Sequence, residues 1–173
     1  MSEIYNGENS RKSMKQKYRV IYLCKKEKYF MDDKALAYLL LRVTLGIDMF
    51  IHGMTRLFGE YAGFVANILK EFQDTILPQF SLLIFAWSLP PLEALVGILL
   101  LIGFCTRFAT CLGAILIAVL VFGSSLKHDW NTVGIQMAYA LIYYFLILNL
   151  QHNRFSMDHW IKKRHRANKI GFS

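Results

Sequence analysis

The chain has 173 residues, 55% of them hydrophobic, with a formal net charge of +8 and a mean hydropathy of +0.33. The length suits one domain and the hydrophobicity is high for a soluble protein of that size, so composition points to a membrane protein. Nine of the twenty Lys and Arg residues lie in residues 1–35 and six in 151–173, which argues against the evenly basic surface of a nucleic-acid-binding domain and fits tails held against an anionic lipid leaflet.

Residues 1–34 read as a basic, cytoplasmic N-terminal tail. The longest apolar run in it, Val20-Ile21-Tyr22-Leu23, is far too short for the h-region of a signal peptide. A helix needs about 20 mostly apolar residues to cross a bilayer, and four stretches meet that length. The first, 35–58, is greasy but carries Arg42, Asp48, His52 and Arg56. It is followed by a connection, 59–81, in which Phe64, Val65, Ile68, Leu69 and Phe72 recur at helical spacing. That pattern predicts an amphipathic helix lying in the outer membrane interface. The second span, 82–104, has Glu93 as its one charge and Pro90-Pro91 inside it, a pair expected to bend or break the helix and free carbonyls. The third, 108–126, has no charge, and the fourth, 133–150, has only Gln136 and Asn149 as strongly polar side chains. A basic amphipathic C-terminal tail, 153–173, is expected on the inner surface.

The predicted fold is therefore all-α: a four-helix transmembrane bundle over 35–152 with a tail at each end. Lys and Arg concentrate in the tails, and the second connection contains Arg107. The positive-inside rule then places both termini in the cytoplasm and the first and third connections outside. The expected location is a prokaryotic cytoplasmic (inner) membrane, with the lipid bilayer and a partner subunit or a second copy as partners. Cys24, Cys105 and Cys111 form no Cys-x-x-Cys and read as ordinary thiols.

An ionisable group inside the hydrocarbon costs several kcal/mol unless it meets a partner or a water-lined cavity. At about 100° per residue, Asp48, His52 and Arg56 form a ladder on one side of the first span. Arg42, Gly46, Met49, Gly53 and Arg56 line the adjacent strip, where the glycines would let another helix approach closely. Glu93, on a span descending from outside, should lie at the depth of Asp48 and His52. Gln136, Tyr139 and Tyr143 share a face of the fourth span. Together these offer two carboxylates, an imidazole, a guanidinium and two phenols, a set suited to acid–base work and proton relay. Asp48, His52 and Glu93 are the candidate catalytic groups, and Arg56, Gln136, Tyr139 and Tyr143 the candidate binding groups. Arg42 and Arg107 fall near the inner interface, where long side chains snorkel, and read as structural. The same ladder would also serve as ion pairs that merely fasten helices, and both roles are open on these residues alone. A haem would need His52 and His128 as axial ligands, since the other three histidines lie near or in the C-terminal tail. No metal, haem or nucleotide motif is present.

Leu41-Arg42 with Leu45-Gly46, then His52-Gly53 and Arg56, resembles the first helix of the DoxX family. Leu89-Pro90-Pro91-Leu92-Glu93, Gly97, Gly103 and Thr106-Arg107 are similar to its second helix and the turn beyond. Phe122-Gly123-Ser124, Asp129-Trp130 and Val133-Gly134-Ile135-Gln136 extend the likeness, which covers about residues 36–158. The pattern is nearest to the DoxD-like branch, the membrane subunit of thiosulfate:quinone oxidoreductase. The resemblance implies quinone-linked sulfur redox chemistry, with a quinone as bound substrate and a second subunit as partner.

Overall fold

The computed structural model describes residues 33–170, with side chains as far as Arg164. Nearly all of the basic N-terminal tail, and Cys24 with it, lies outside these residues. The chain divides into two units, 1–37 and 38–173, and the second contains the helical bundle. All regular structure among the described residues is helical. Helix α1 is Asp33–Phe58, α2 Tyr61–Glu71, α3 Gln79–Ile102, α4 Thr106–Leu126 and α5 Trp130–Leu148, then a 3₁₀ turn at Leu150–His152 and α6, Met157–Ile170. Helices α1, α3, α4 and α5 are long and apolar enough to cross a membrane.

The spans begin and end where local chemistry dictates. Gly103 terminates α3 in the left-handed region, at φ 70°, and the amides of Gly103 and Phe104 both return to the Leu99 carbonyl, at 2.9 and 3.1 Å. The helix therefore ends two residues before the expected 104. Asp129 caps α5: its carboxylate accepts the Thr132 amide at 3.2 Å and the Thr132 hydroxyl at 2.6 Å. That cap starts α5 at Trp130, three residues ahead of the apolar run.

The prolines do not break α3. The helix runs through Pro90 and Pro91 without interruption, against the expected break. Proline at 91 removes the donor for the carbonyl four residues earlier, Trp87, and that carbonyl accepts the Tyr61 hydroxyl of α2 instead. The two rings meet edge to face, with centroids 4.6 Å apart. Thus α2 does form in the first connection, and it packs on α3 with Val65 buried beneath it.

Helices α1 and α3 run antiparallel and touch at backbone level. A Cβ on Gly53 would lie 2.7 Å from the Pro90 carbonyl oxygen and 2.8 Å from Ala94 Cα, and one on Gly97 would lie 2.6 Å from Phe50 Cα. The small-residue strip on α1 is what permits this approach. The core between the helices contains Leu45, Met49, Leu89, Val96, Leu116 and Tyr143. The opposite faces are apolar and uncovered, as at Ile51, Ile84, Ile98, Ile115, Ile135 and Leu141, as lipid-facing surfaces are.

The two ends of the bundle differ. At one end the 59–81 and 127–129 connections meet: Lys127 Nζ donates to Glu71 Oε2 at 2.5 Å and lies 4.8 Å above the Phe72 ring. At the other end the chain after α5 folds back under the α3–α4 turn. Asp158 accepts the amides of Cys105 and Thr106, both at 2.8 Å, and Asn153 Nδ2 donates to Thr106 Oγ1 at 2.9 Å. The segment after 152 thus starts as part of the bundle.

Candidate functional site

Glu93 on α3 is the most deeply buried carboxylate of the spans, its side chain 6% exposed, and it pairs with Arg56 of α1. Sequence placed Glu93 only at the depth of Asp48 and His52; its contact with the first span is a finding of the structure. The glycine contacts explain it: with Gly53 against Ala94 and Pro90, the next turn of α1 brings Arg56 over Glu93. The guanidinium also lies 5.0 Å above the Phe64 ring of α2, so the amphipathic helix roofs the pair.

The rest of the ladder turns the other way. Asp48 and His52 stand 3.7 Å apart, with side chains 34% and 54% exposed. The expected single ladder is therefore two pairs: Arg56–Glu93 turned inward, and Asp48–His52 open at the flank of the bundle. They are not isolated, since His52 and Asp48 both act electrostatically on Glu93.

Helix α5 contributes the phenols. Tyr139 and Tyr143 are electrostatic neighbours of Asp48, and Tyr143 also of Glu93. Tyr143 is fully buried, and its ring rests on Gly113 of α4, where a Cβ would overlap it. Asp48 Oδ2, Tyr143 Oη and Gln136 Oε1 are buried without a hydrogen-bond partner. A buried polar atom left unmatched costs about 1–3 kcal/mol, so Asp48 Oδ2 and Tyr143 Oη, neighbours in one centre, mark a place that water, a proton or a ligand's oxygen would fill. Gln136 departs from the expected group: its Nε2 donates to Ser124 Oγ of α4 at 3.0 Å. Ser124, 7% exposed, is a polar partner that the sequence reading placed in a family motif but in no site.

Of the two arginines assigned to the inner interface, Arg107 is exposed but Arg42 does not snorkel. It is 2% exposed, and its Nη2 donates to the Phe155 carbonyl at 2.8 Å. Gly103 makes the room, since a Cβ there would come within 2.9 Å of Arg42 Cζ. Arg42 Nε and Nη1 and the Tyr38 hydroxyl are buried without partners. His128, the second candidate haem ligand, sits in the α4–α5 turn against Trp130, ring centroids 6.1 Å apart. Among the described residues no group of three or more His, Cys, Asp and Glu is placed to hold a metal ion.

Four apolar helices, with one charged pair turned inward and one open at the flank, define a multi-pass membrane protein with a polar centre among its first, second and fourth spans. The chain belongs to the DoxX family, whose profile matches residues 37–125. That stretch holds Arg42, Asp48, His52, Arg56 and Glu93, and stops before the α5 residues Gln136, Tyr139 and Tyr143. No curated protein and no solved structure matches the chain.

Proposed function

We propose that this protein works in quinone-linked redox metabolism, as a DoxD-like member of the family, with the centre around Asp48, His52 and Glu93 receiving the head of a quinone. The observation that carries this is the open Asp48–His52 pair beside the closed Arg56–Glu93 pair. Ionisable side chains inside a membrane protein are functional by default, and these are reachable from the flank, where a lipid-soluble substrate would arrive. Reducing a quinone to the quinol takes two electrons and two protons. Asp48 and His52 are suited to pass protons to the quinone oxygens, with Tyr139 and Tyr143 donating hydrogen bonds to them. Thiosulfate is the proposed donor: two thiosulfates joined through a sulfur–sulfur bond release the two electrons. Arg56 would draw the anion to the outer end of the site. The proposed setting is a prokaryotic inner membrane with both termini in the cytoplasm and α2 in the outer interface, alongside a partner subunit or a second copy.

A second reading is favoured by one contact. The Arg56–Glu93 pair also clamps α1 to α3, as it would in a non-catalytic anchor or assembly subunit. One experiment separates the two. The protein is purified in mild detergent, extracted for bound quinone, and assayed for thiosulfate-dependent reduction of a short-chain quinone. Bound quinone, with turnover lost in His52→Ala and Glu93→Gln at unchanged folding, supports the redox reading. Lost stability with no quinone and no turnover, with or without partner proteins, supports the anchor.

A further inference from the structure

The end of the bundle away from this centre holds a cavity of about 370 Å³, within the range of small-ligand sites. The cavity is lined by Arg107 and Thr106 at the start of α4, Leu150 and Asn153 after α5, and His159 and Lys162 on α6, with Asp158 and Gln151 completing it. Its chemistry is cationic. Arg107 and Lys162 are exposed, and among the described residues neither has a carboxylate within ion-pair distance. The one acid in the lining, Asp158, is already committed to the amides of Cys105 and Thr106. Arg107, Lys162 and His159 therefore line a half-open space whose one carboxylate already serves two amides and is outnumbered by the cations. Asn153, whose Nδ2 is bound to Thr106, fixes the wall between the start of α4 and the segment after α5.

The position narrows the ligand. α4 starts at Thr106 and α5 ends at Leu148, so the cavity sits at the end of two spans, at the level of the lipid headgroups. Leu150 gives it an apolar edge. Guanidinium and ammonium groups are suited to phosphate oxygens. We propose that this cavity binds the phosphate of an anionic phospholipid headgroup, with Arg107 and Lys162 on the phosphate oxygens and Leu150 against the start of an acyl chain. The bound lipid would hold α6 to the α3–α4 turn.

The full-length protein in mild detergent tests this by thermal unfolding with three additions: phosphatidylglycerol, phosphatidylcholine and millimolar inorganic phosphate. Phosphatidylglycerol is expected to raise Tm by about 4 °C or more, with one molecule retained per chain in native mass spectrometry. Phosphatidylcholine, whose choline is repelled by the two cations, is expected to move Tm by less than about 1 °C. Arg107→Gln with Lys162→Gln should unfold at the wild-type Tm without lipid, and should lose at least tenfold in phosphatidylglycerol affinity. Lys163→Gln with Arg164→Gln removes the same charge outside the cavity and should keep the effect. An equal rise with inorganic phosphate alone would assign the site to a free phosphate and overturn the lipid. No response to any addition, or equal losses in both double variants, would overturn the site.

Discussion

Gly53→Ala reports on the backbone contact that assembles the centre. The added Cβ would stand 2.7 Å from the Pro90 carbonyl oxygen and 2.8 Å from Ala94 Cα. Carbon contacts are comfortable at about 3.5–4.0 Å, so α1 and α3 must part by roughly 1 Å. The obstructing atoms are backbone and cannot rotate away. The strain therefore falls at the upper end of the overpacking range, about 3 kcal/mol. Alanine in a helix returns about 1 kcal/mol relative to glycine, leaving a net loss near 2 kcal/mol. For a chain of this size that lowers Tm by about 4–8 °C. Gly134 of α5 is the internal control, because a Cβ there meets nothing within 4 Å. Gly134→Ala should raise Tm by roughly 2–4 °C, from helix propensity alone. Both are read by the loss of helical circular dichroism on heating in mild detergent. Equal Tm changes for the two variants, or a rise for Gly53→Ala, would refute close α1–α3 packing and with it the geometry that sets Arg56 over Glu93.

Three further outcomes concern the ends of the bundle. Asp158→Ala removes two charge-assisted bonds to the Cys105 and Thr106 amides and should cost about 2–3 kcal/mol, seen as a Tm lower by roughly 5–10 °C; Asp158→Asn, which can still accept one amide, should lose less. The Thr132 hydroxyl and then its amide hold the Asp129 carboxyl below its ordinary value of 3.8. A lowered folded-state value means that this cap stabilises fully above about pH 4 and fades as pH falls through the folded value, so the Tm gap between wild type and Asp129→Ala should be widest at neutral pH and close in acid; a gap that widens in acid would contradict the cap. Lys127→Gln removes an ion pair to a half-exposed Glu71 and should cost less than about 1 kcal/mol, with the wild-type advantage shrinking in high salt.

The four spans were legible because hydropathy alone reports them. Their ends were less so, since Gly103 and Asp129 act through backbone geometry and a single cap rather than through apolar length. The charges on α1 showed that the helix needed partners, and depth matching put Glu93 at their level, but only the structure shows that it meets α1. Periodicity placed Asp48, His52 and Arg56 on one stripe, but a stripe spans a wide arc. The backbone contact at Gly53 decides that Arg56 turns inward while Asp48 and His52 stay at the flank. Proline chemistry correctly announced freed carbonyls, but that Tyr61 would satisfy one of them is a tertiary fact. That Ser124 would take Gln136, and Phe155 take Arg42, was not legible, because neither a hydroxyl nor a main-chain carbonyl announces its tertiary partner.

The Arg42–Phe155 bond spans 113 residues, and that separation bears on how the chain is made. Ribosomal synthesis delivers α1 well before the carbonyl that meets its guanidinium. Until residue 155 has been made, Arg42 lacks this acceptor, and an unpaired guanidinium in hydrocarbon costs several kcal/mol. The bond therefore ties α1 to the segment after α5 only once both have been translated, so it is a late tether on a helix made early.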